Sequence, residues 1–379
     1  MTELIYLDCQ ATTRLEPCVR EAMAPWWEQQ FGNPGSPHRY GWEAHAAVER
    51  AREQVLRALQ APADGILVFT SGATEANNLA LKGVAEANHH RGRHLITVAT
   101  EHSSVLAPCR YLERLGFELT VLPVNTDGRV SPSQLAAALR PDTILVSVMA
   151  ANNEIGVLQP LAELGQICRE RRVLLHCDAA QAVGKLPLNL QTLPVDLLSC
   201  SGHKLGGPQG IGALWMRAVV AIAPQQHGGG QQQGLRSGTL PVALIVGLGA
   251  AVERAVGAMA EEQAAIARLR DQLWEALKPL GGIHLNGHPQ QRLAGNLNVS
   301  IDGVDGNRLL QAVRSRLAIS SGSTCAAGAP SHVLQALGRS PAQIRASLRI
   351  GLDRHTTPEE VAIASRILRE TIAALHRSA

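Results

Sequence analysis

The stretch VDLLSCSGHKLGGPQGIGALWM (195–216) decides how the rest of the chain is read. It opens on an apolar run, VDLLSCS (195–201), and closes on another, IGALWM (211–216). Neither run alternates polar with apolar residues, which is the pattern of strands covered on both faces. Between them stand Ser201, Gly202, His203 and Lys204, followed by a Gly/Pro loop. A lysine just past the C-terminal end of a buried strand lies where open α/β sheets bind ligands. A lone lysine in a turn is by default a surface charge. Here the neighbouring Ser and His can donate hydrogen bonds to an anion, and the glycines clear space for it.

Working outward, similar runs recur at ILVFT (66–70), HLITVAT (94–100), ELTVLPV (118–124), TILVSVMA (143–150) and VLLHCDA (173–179). With the two above they make seven expected strands. Helix-period segments fall between several of them: 73–90, SPSQLAAALR (131–140) with Ser131 and Pro132 as start signals, and 161–172. This alternation argues for an α/β fold with a mostly parallel sheet covered by helices. An amphipathic helix is expected at 42–60, and near-continuous helix at 241–280. Beyond 280 the character changes. GNLNVSIDGV (295–304), AISSGS (318–323) and SLRIGLD (347–353) read as strands of a smaller α+β unit, closed by a helix from Pro358. The expected division is a large domain at 16–255 and a smaller one built from 1–15 plus 256–379.

Composition narrows the function classes. The 379 residues are 45% hydrophobic and 18% charged, with a net charge of only +3, so no nucleic-acid footprint is expected. The N-terminus lacks the basic-then-apolar order of a signal peptide, and no apolar run approaches the roughly 18 residues that span a bilayer. A cytoplasmic protein with no membrane partner is expected. The seven cysteines are odd in number and form no C-x-x-C pair, which argues against a disulfide framework or a metal site. Most are expected to be inert buried thiols, Cys177 and Cys200 above all, because free cysteine packs like a small hydrophobe.

Three further segments share the placement of Lys204. In HCDAAQAVGK (176–185), Asp178 ends a strand and Gln181 follows three residues on. A buried acid there needs a partner, and a protonated ring nitrogen is one that pyridoxal phosphate sites supply. In FTSGATEANNLA (69–80), a Ser-Gly turn leads into a helix starting near Ala73. Its free N–H groups and dipole suit an anion, and Thr74 adds a hydroxyl. In VATEHSSVL (98–106), His102 follows a strand end. An isolated histidine is more often structural, but an imidazole at this rim can stack on a planar cofactor and move protons. Lysine, aspartate, anion donors and histidine on one rim form the toolkit of a pyridoxal phosphate enzyme.

With these residues in view, the chain resembles the cysteine desulfurases, a branch of the class V aminotransferase family of fold-type I pyridoxal phosphate enzymes. The matching stretches are YLDCQATT, FGNPGSPHRYG, TSGATEANNLA, TEHSSV, NNEIGVLQP, HCDAAQAVGK, SGHKLGGPQGIG, GLRSGTLPV and SSGSTC. The resemblance implies pyridoxal 5'-phosphate held covalently by Lys204, with His102 on its ring as acid/base. It implies Asp178 at the pyridinium nitrogen and Gln181 at the phenolic oxygen. Ala73, Thr74, Ser201 and His203 would sit at the phosphate. Thr239 would reach the phosphate of a partner subunit, which implies a homodimer. Asn153 and Arg349 would bind the carboxylate of L-cysteine. Cys325 would take the sulfur as a persulfide, leaving L-alanine, and pass it to an acceptor such as an iron–sulfur scaffold protein. Lys204 or His102 would move the α-proton. His102 or the substrate amine would help ionise Cys325, since only a few per cent of an ordinary thiol is thiolate at neutral pH. The chain departs from the family's usual pattern in Ser-Thr-Cys at 323–325 and in the glutamines of GGGQQQG (228–234). The competing readings are a selenocysteine lyase or aminotransferase of the same fold, which would not need Cys325, and a non-catalytic sulfur carrier. Intact Lys204, Asp178 and Cys325 weigh against the last.

Overall fold

A computed structural model of the chain describes residues 4–321 and 330–377. In chain order its strands are β1 (Ile5–Tyr6), β2 (Ile66–Thr70), β3 (His94–Val98), β4 (Glu118–Leu122), β5 (Thr143–Ser147) and β6 (Leu174–Asp178). They continue with β7 (Leu197–Ser201), β8 (Gly212–Met216), β9 (Ile283–Leu285), β10 (Asn296–Ile301), β11 (Leu317–Ala318) and β12 (Ser347–Gly351).

β2 to β8 are the seven expected strands, and they form one sheet in the order β2-β8-β7-β6-β5-β3-β4. The pairs from β4 to β7 are parallel, while β8 runs antiparallel to both β7 and β2. The absence of polar alternation has a simple cause. Leu67 and Phe69 of β2, Ile96 and Val98 of β3, and Ala213 and Trp215 of β8 face one core. Val68, Leu95 and Leu214, each next to one of them in the chain, face a second core on the other side. Because strand side chains alternate faces, both faces must be apolar when helices cover both.

On the first face lies the helix Arg39–Ala58, whose buried Ala44, Ala47, Val48, Ala51 and Val55 follow helical spacing. It packs closely on the helix Val242–Gly257: a Cβ on Gly249 would come within 2.9 Å of the Ala51 Cα. On the second face lie the helices Ala73–Asn88 and Ser103–Arg114, whose buried Leu79, Val84 and Leu112 join the second core. The expected helix over 241–280 is two helices, Val242–Gly257 and Met259–Leu277, bent by 71°. The bend moves the second one off the sheet. Its Ile266, Leu273 and Leu277 join a separate core with Ile5, Leu7, Leu297, Val299, Ile350 and Leu368. Among the described residues no single helix is long and apolar enough to cross a membrane.

The smaller sheet has the order β12-β10-β9, all antiparallel. β10 and β12 are two of the three expected strands, and β9 is one that the sequence reading lacked. The third expectation, a strand over 318–323, needs correction. Among the described residues the strand is Leu317–Ala318, paired in parallel with Ile5–Tyr6, and Ser320 makes a separate bridge to Arg349, while 322 and 323 lie outside the described residues. Ser320 and Ser321 offer no large apolar side chain to extend a ladder, whereas the backbone of Ser320 exchanges two hydrogen bonds with Arg349 at 3.1 and 2.7 Å.

The glutamines of GGGQQQG have a structural use. β2 is an edge strand, and the Gln232 amide accepts from Phe69 N at 2.7 Å and donates to Phe69 O at 2.8 Å. One side chain thus satisfies both exposed backbone groups of an edge residue.

Candidate active site

The strands β2, β3, β6 and β7 end on one rim of the large sheet, and a cavity of about 650 Å³ opens there. It is lined by Lys204, Asp178, Gln181, His102, Ser201 and His203, and also by Ala73, Thr74, Asn153 and Arg349. The topology brings together ten of the residues singled out in the sequence. Thr239 is exposed and does not line this cavity. Cys325 lies outside the described residues.

Lys204 sits in the short turn Gly202–Lys204 that follows β7. Its Nζ donates to Gln10 O at 2.7 Å and to Ala11 O at 2.8 Å. These carbonyls belong to the N-terminal segment, nearly two hundred residues away in sequence, and no local signal announced them. Gln181 Nε2 donates to the same Gln10 carbonyl at 2.9 Å, and Gln181 Oε1 accepts from Lys185 Nζ at 3.0 Å. The neighbouring His203 meets Thr12 Oγ1 at 3.1 Å. Burial, aided by Lys204 and Lys185, pulls the His203 imidazole down to about 4, so it is neutral at physiological pH.

Asp178 ends β6 and is only 5% exposed. Its Oδ1 accepts from Ala180 N at 2.9 Å and its Oδ2 from Asn77 Nδ2 at 2.8 Å. Both donors are neutral. Asn77 also donates to Ser104 Oγ at 2.8 Å. Ser104 in turn presents its hydroxyl to His102 Nδ1 at 2.8 Å and its backbone N–H to the same nitrogen at 3.1 Å. A backbone N–H can only donate, so Nδ1 must be the bare nitrogen and the proton of the neutral ring sits on Nε2. Burial lowers the His102 pKa below that of an ordinary histidine, with Asp178 opposing and Lys204 and His332 adding to it. The ring is therefore a neutral Nε2–H donor. Asn77 was missed in the sequence, although it lies three residues after Thr74 on the same helix face. Ser104 was passed over because a serine after a histidine carries no signal of its own.

The helix Ala73–Asn88 points its N-terminus at the cavity. Its N-cap is Gly72, at φ +148°, and no side chain caps it. Room is made by glycine on both sides: a Cβ on Gly212 would come within 2.7 Å of the Gly72 Cα. Glu75 in the first turn is engaged elsewhere, paired with Arg236 at 2.7 Å and accepting from Ser71 N at 2.6 Å. Burial raises its pKa, but the Arg236 and Ser71 bonds outweigh that and hold it below the usual range.

Arg349 of β12, which also lines the cavity, is 4% exposed. Its Nη1 donates to Asn153 O at 3.2 Å and its Nη2 to Asp8 Oδ1 at 2.9 Å. Asn153 leads into Glu154, which ties three segments together. The Glu154 carbonyl accepts from Asn296 Nδ2 and Asn298 Nδ2, and its Oε1 accepts from Ser331 Oγ at 2.6 Å. The remaining described cysteines are free. Burial pushes the thiols of Cys109, Cys168 and Cys200 up to about 12 and raises Cys9 and Cys177 as well, which makes them poor nucleophiles.

A lysine, a carboxylate, an imidazole and an open helix N-terminus around one cavity define a class. The family model for class-V aminotransferases matches residues 5–363, and the chain belongs to that family. Its curated relatives include cysteine desulfurases. IscS of Aeromonas salmonicida is 48% identical over 378 residues, covering 98% of this chain and 93% of that protein. The cysteine desulfurase of Mus musculus is 49% identical over 363 residues, covering 94% and 79%. Among solved structures, a NifS-like protein superposes with a TM-score of 0.93 at 37% identity, covering 98% of this chain and all of that one. DndA of Streptomyces lividans gives a TM-score of 0.79 at 40% identity, covering 90% and 98%.

Proposed function

We propose that this protein, a cysteine desulfurase by family, binds pyridoxal 5'-phosphate in the 650 Å³ cavity and moves sulfur from L-cysteine to Cys325 as a persulfide. The observation that carries the reading is the convergence of Lys204, Asp178, His102 and the uncapped helix N-terminus on that one cavity.

The residues present fit the cofactor. Asp178 is a buried carboxylate whose hydrogen-bond donors are both neutral, so a protonated ring nitrogen would supply the charge it lacks. The N-terminus at Ala73 and Thr74, with Ser201 and His203 beside it, suits a phosphate. Gln181 and Lys204 line the wall between. When bound, pyridoxal phosphate supplies the electron sink that stabilises charge on the substrate α-carbon.

The chain's own groups then divide the work. Arg349, held by Asp8 and the Asn153 carbonyl, takes the substrate carboxylate, with Asn153 beside it. His102, which lines the cavity, would lie beside the ring with its Nε2–H as a donor. Its Nδ1 already accepts two hydrogen bonds, so Lys204 Nζ is the group that takes up the α-proton. Cys325 receives the sulfur and hands it to an acceptor protein, with an iron–sulfur scaffold as the expected kind. Thr239, exposed and off this cavity, serves the cofactor of a second copy in a homodimer. Two units, 16–255 and 1–15 plus 256–379, meet at the cavity. The grouping of Ile5 and Leu7 with the C-terminal core supports this division. The free described thiols favour a reducing, cytoplasmic setting.

The test is a spectrum joined to a product assay. The full chain should carry a visible cofactor absorbance and release alanine and sulfide from L-cysteine in the presence of a thiol reductant. Cys325→Ala should keep the absorbance and lose sulfide release. Normal sulfide release from that variant would remove Cys325 from the mechanism.

A further inference from the structure

We infer that Lys185 is a positioning residue for the cofactor end of Lys204: it orients the Gln181 amide and sets a second positive charge behind the first lysine. This rests on the reading of Lys204 given above. The Lys185 ammonium can only donate, so the Gln181 oxygen must face it, 3.0 Å away. That turns the amide nitrogen toward Gln10 O at 2.9 Å, the carbonyl that also holds Lys204 Nζ at 2.7 Å. Lys185, Gln181, the Gln10 carbonyl and Lys204 thus form one chain of contacts. A second cavity of about 40 Å³ lies behind the site, and both lysines line it together with Cys9, Asp353 and Arg354. Lys204, Cys9, Asp353 and Arg354 are also the charged and titratable groups that act on Lys185. Its hydrogen bond goes to a neutral amide. Burial first, and Lys204 next, lower its ammonium to about 8, which leaves it mostly protonated at neutral pH. A like charge so placed disfavours a proton at Lys204 Nζ and keeps that nitrogen available as a nucleophile and base.

The experiment follows the absorbance of the bound cofactor against pH in the full chain loaded with pyridoxal phosphate. Wild type, Lys185→Met and Lys185→Arg are compared. Lys185→Met should retain the cofactor and shift the midpoint up by about one pH unit. Its kcat–pH profile should move the same way, and Lys185→Arg should return both toward wild type. A merely structural role for Lys185 would not move the midpoint. An unchanged midpoint in Lys185→Met at full cofactor content overturns the inference. If that variant does not accumulate as folded protein, Lys185→Gln, which keeps an N–H donor and removes the charge, carries the same expectation and the same refutation. A wild-type chain without cofactor absorbance would instead overturn the reading of Lys204, and this inference with it.

Discussion

Glu154 should make the protein lose stability as the pH rises from about 4.5 to about 7. Its carboxyl is buried where Asn153 meets the small sheet, and burial raises it from an ordinary 4.5 to about 7 despite the Ser331 bond and nearby Arg349. The sign follows from linkage. Below the unfolded value the group is protonated in both states and costs nothing. Between the two values the unfolded chain releases a proton that the folded chain keeps, so stability falls by about 1.4 kcal/mol per pH unit. Above the folded value the full cost, roughly 3 kcal/mol, is in place. Glu154→Gln keeps an oxygen for the Ser331 hydroxyl and cannot ionise. Urea unfolding of both proteins, followed by fluorescence with buried Trp215 as one reporter, should therefore diverge with pH. From about pH 5 to about pH 8 the glutamine variant should gain roughly 2–3 kcal/mol relative to wild type. Other titrating groups cancel in the difference. Parallel pH dependences in the two proteins would refute the assignment of a protonated, buried Glu154.

Asp178→Asn removes the charge facing the cofactor while keeping a similar shape. Loss of a charge-assisted hydrogen bond should weaken pyridoxal phosphate binding roughly 10- to 100-fold, measured by titration of apo-protein. Unaltered affinity would place the ring nitrogen elsewhere. Arg349→Lys cannot hold Asp8 and the Asn153 carbonyl with one planar fork. It should raise KM for L-cysteine about tenfold with a smaller effect on kcat, read from steady-state kinetics. A fall in kcat alone would mean that Arg349 does not bind the carboxylate.

Much of the site was legible because strand ends are legible. Lys204, Asp178, His102 and Thr74 each follow an apolar run, and parallel strands deliver their C-terminal ends to a common rim. The partners of those residues were not. The Gln10 and Ala11 carbonyls that hold Lys204 are backbone atoms, which no residue type reveals. Gln232 looked like part of a low-complexity tract, yet it closes a sheet edge. β11 was misjudged because its pairing partner is β1, at the other end of the chain.

Local periodicity and residue chemistry determined the seven-stranded sheet, the helices that cover it and the reactive groups at its rim. These depend on burial pattern and side-chain type, which are written residue by residue. Only the tertiary structure decided which nitrogen of His102 carries the proton, which way Gln181 turns, and why Glu154 keeps its proton. Those are set by donors, charges and desolvation contributed from distant segments, and the electrostatics of a buried group depends on what folding places around it.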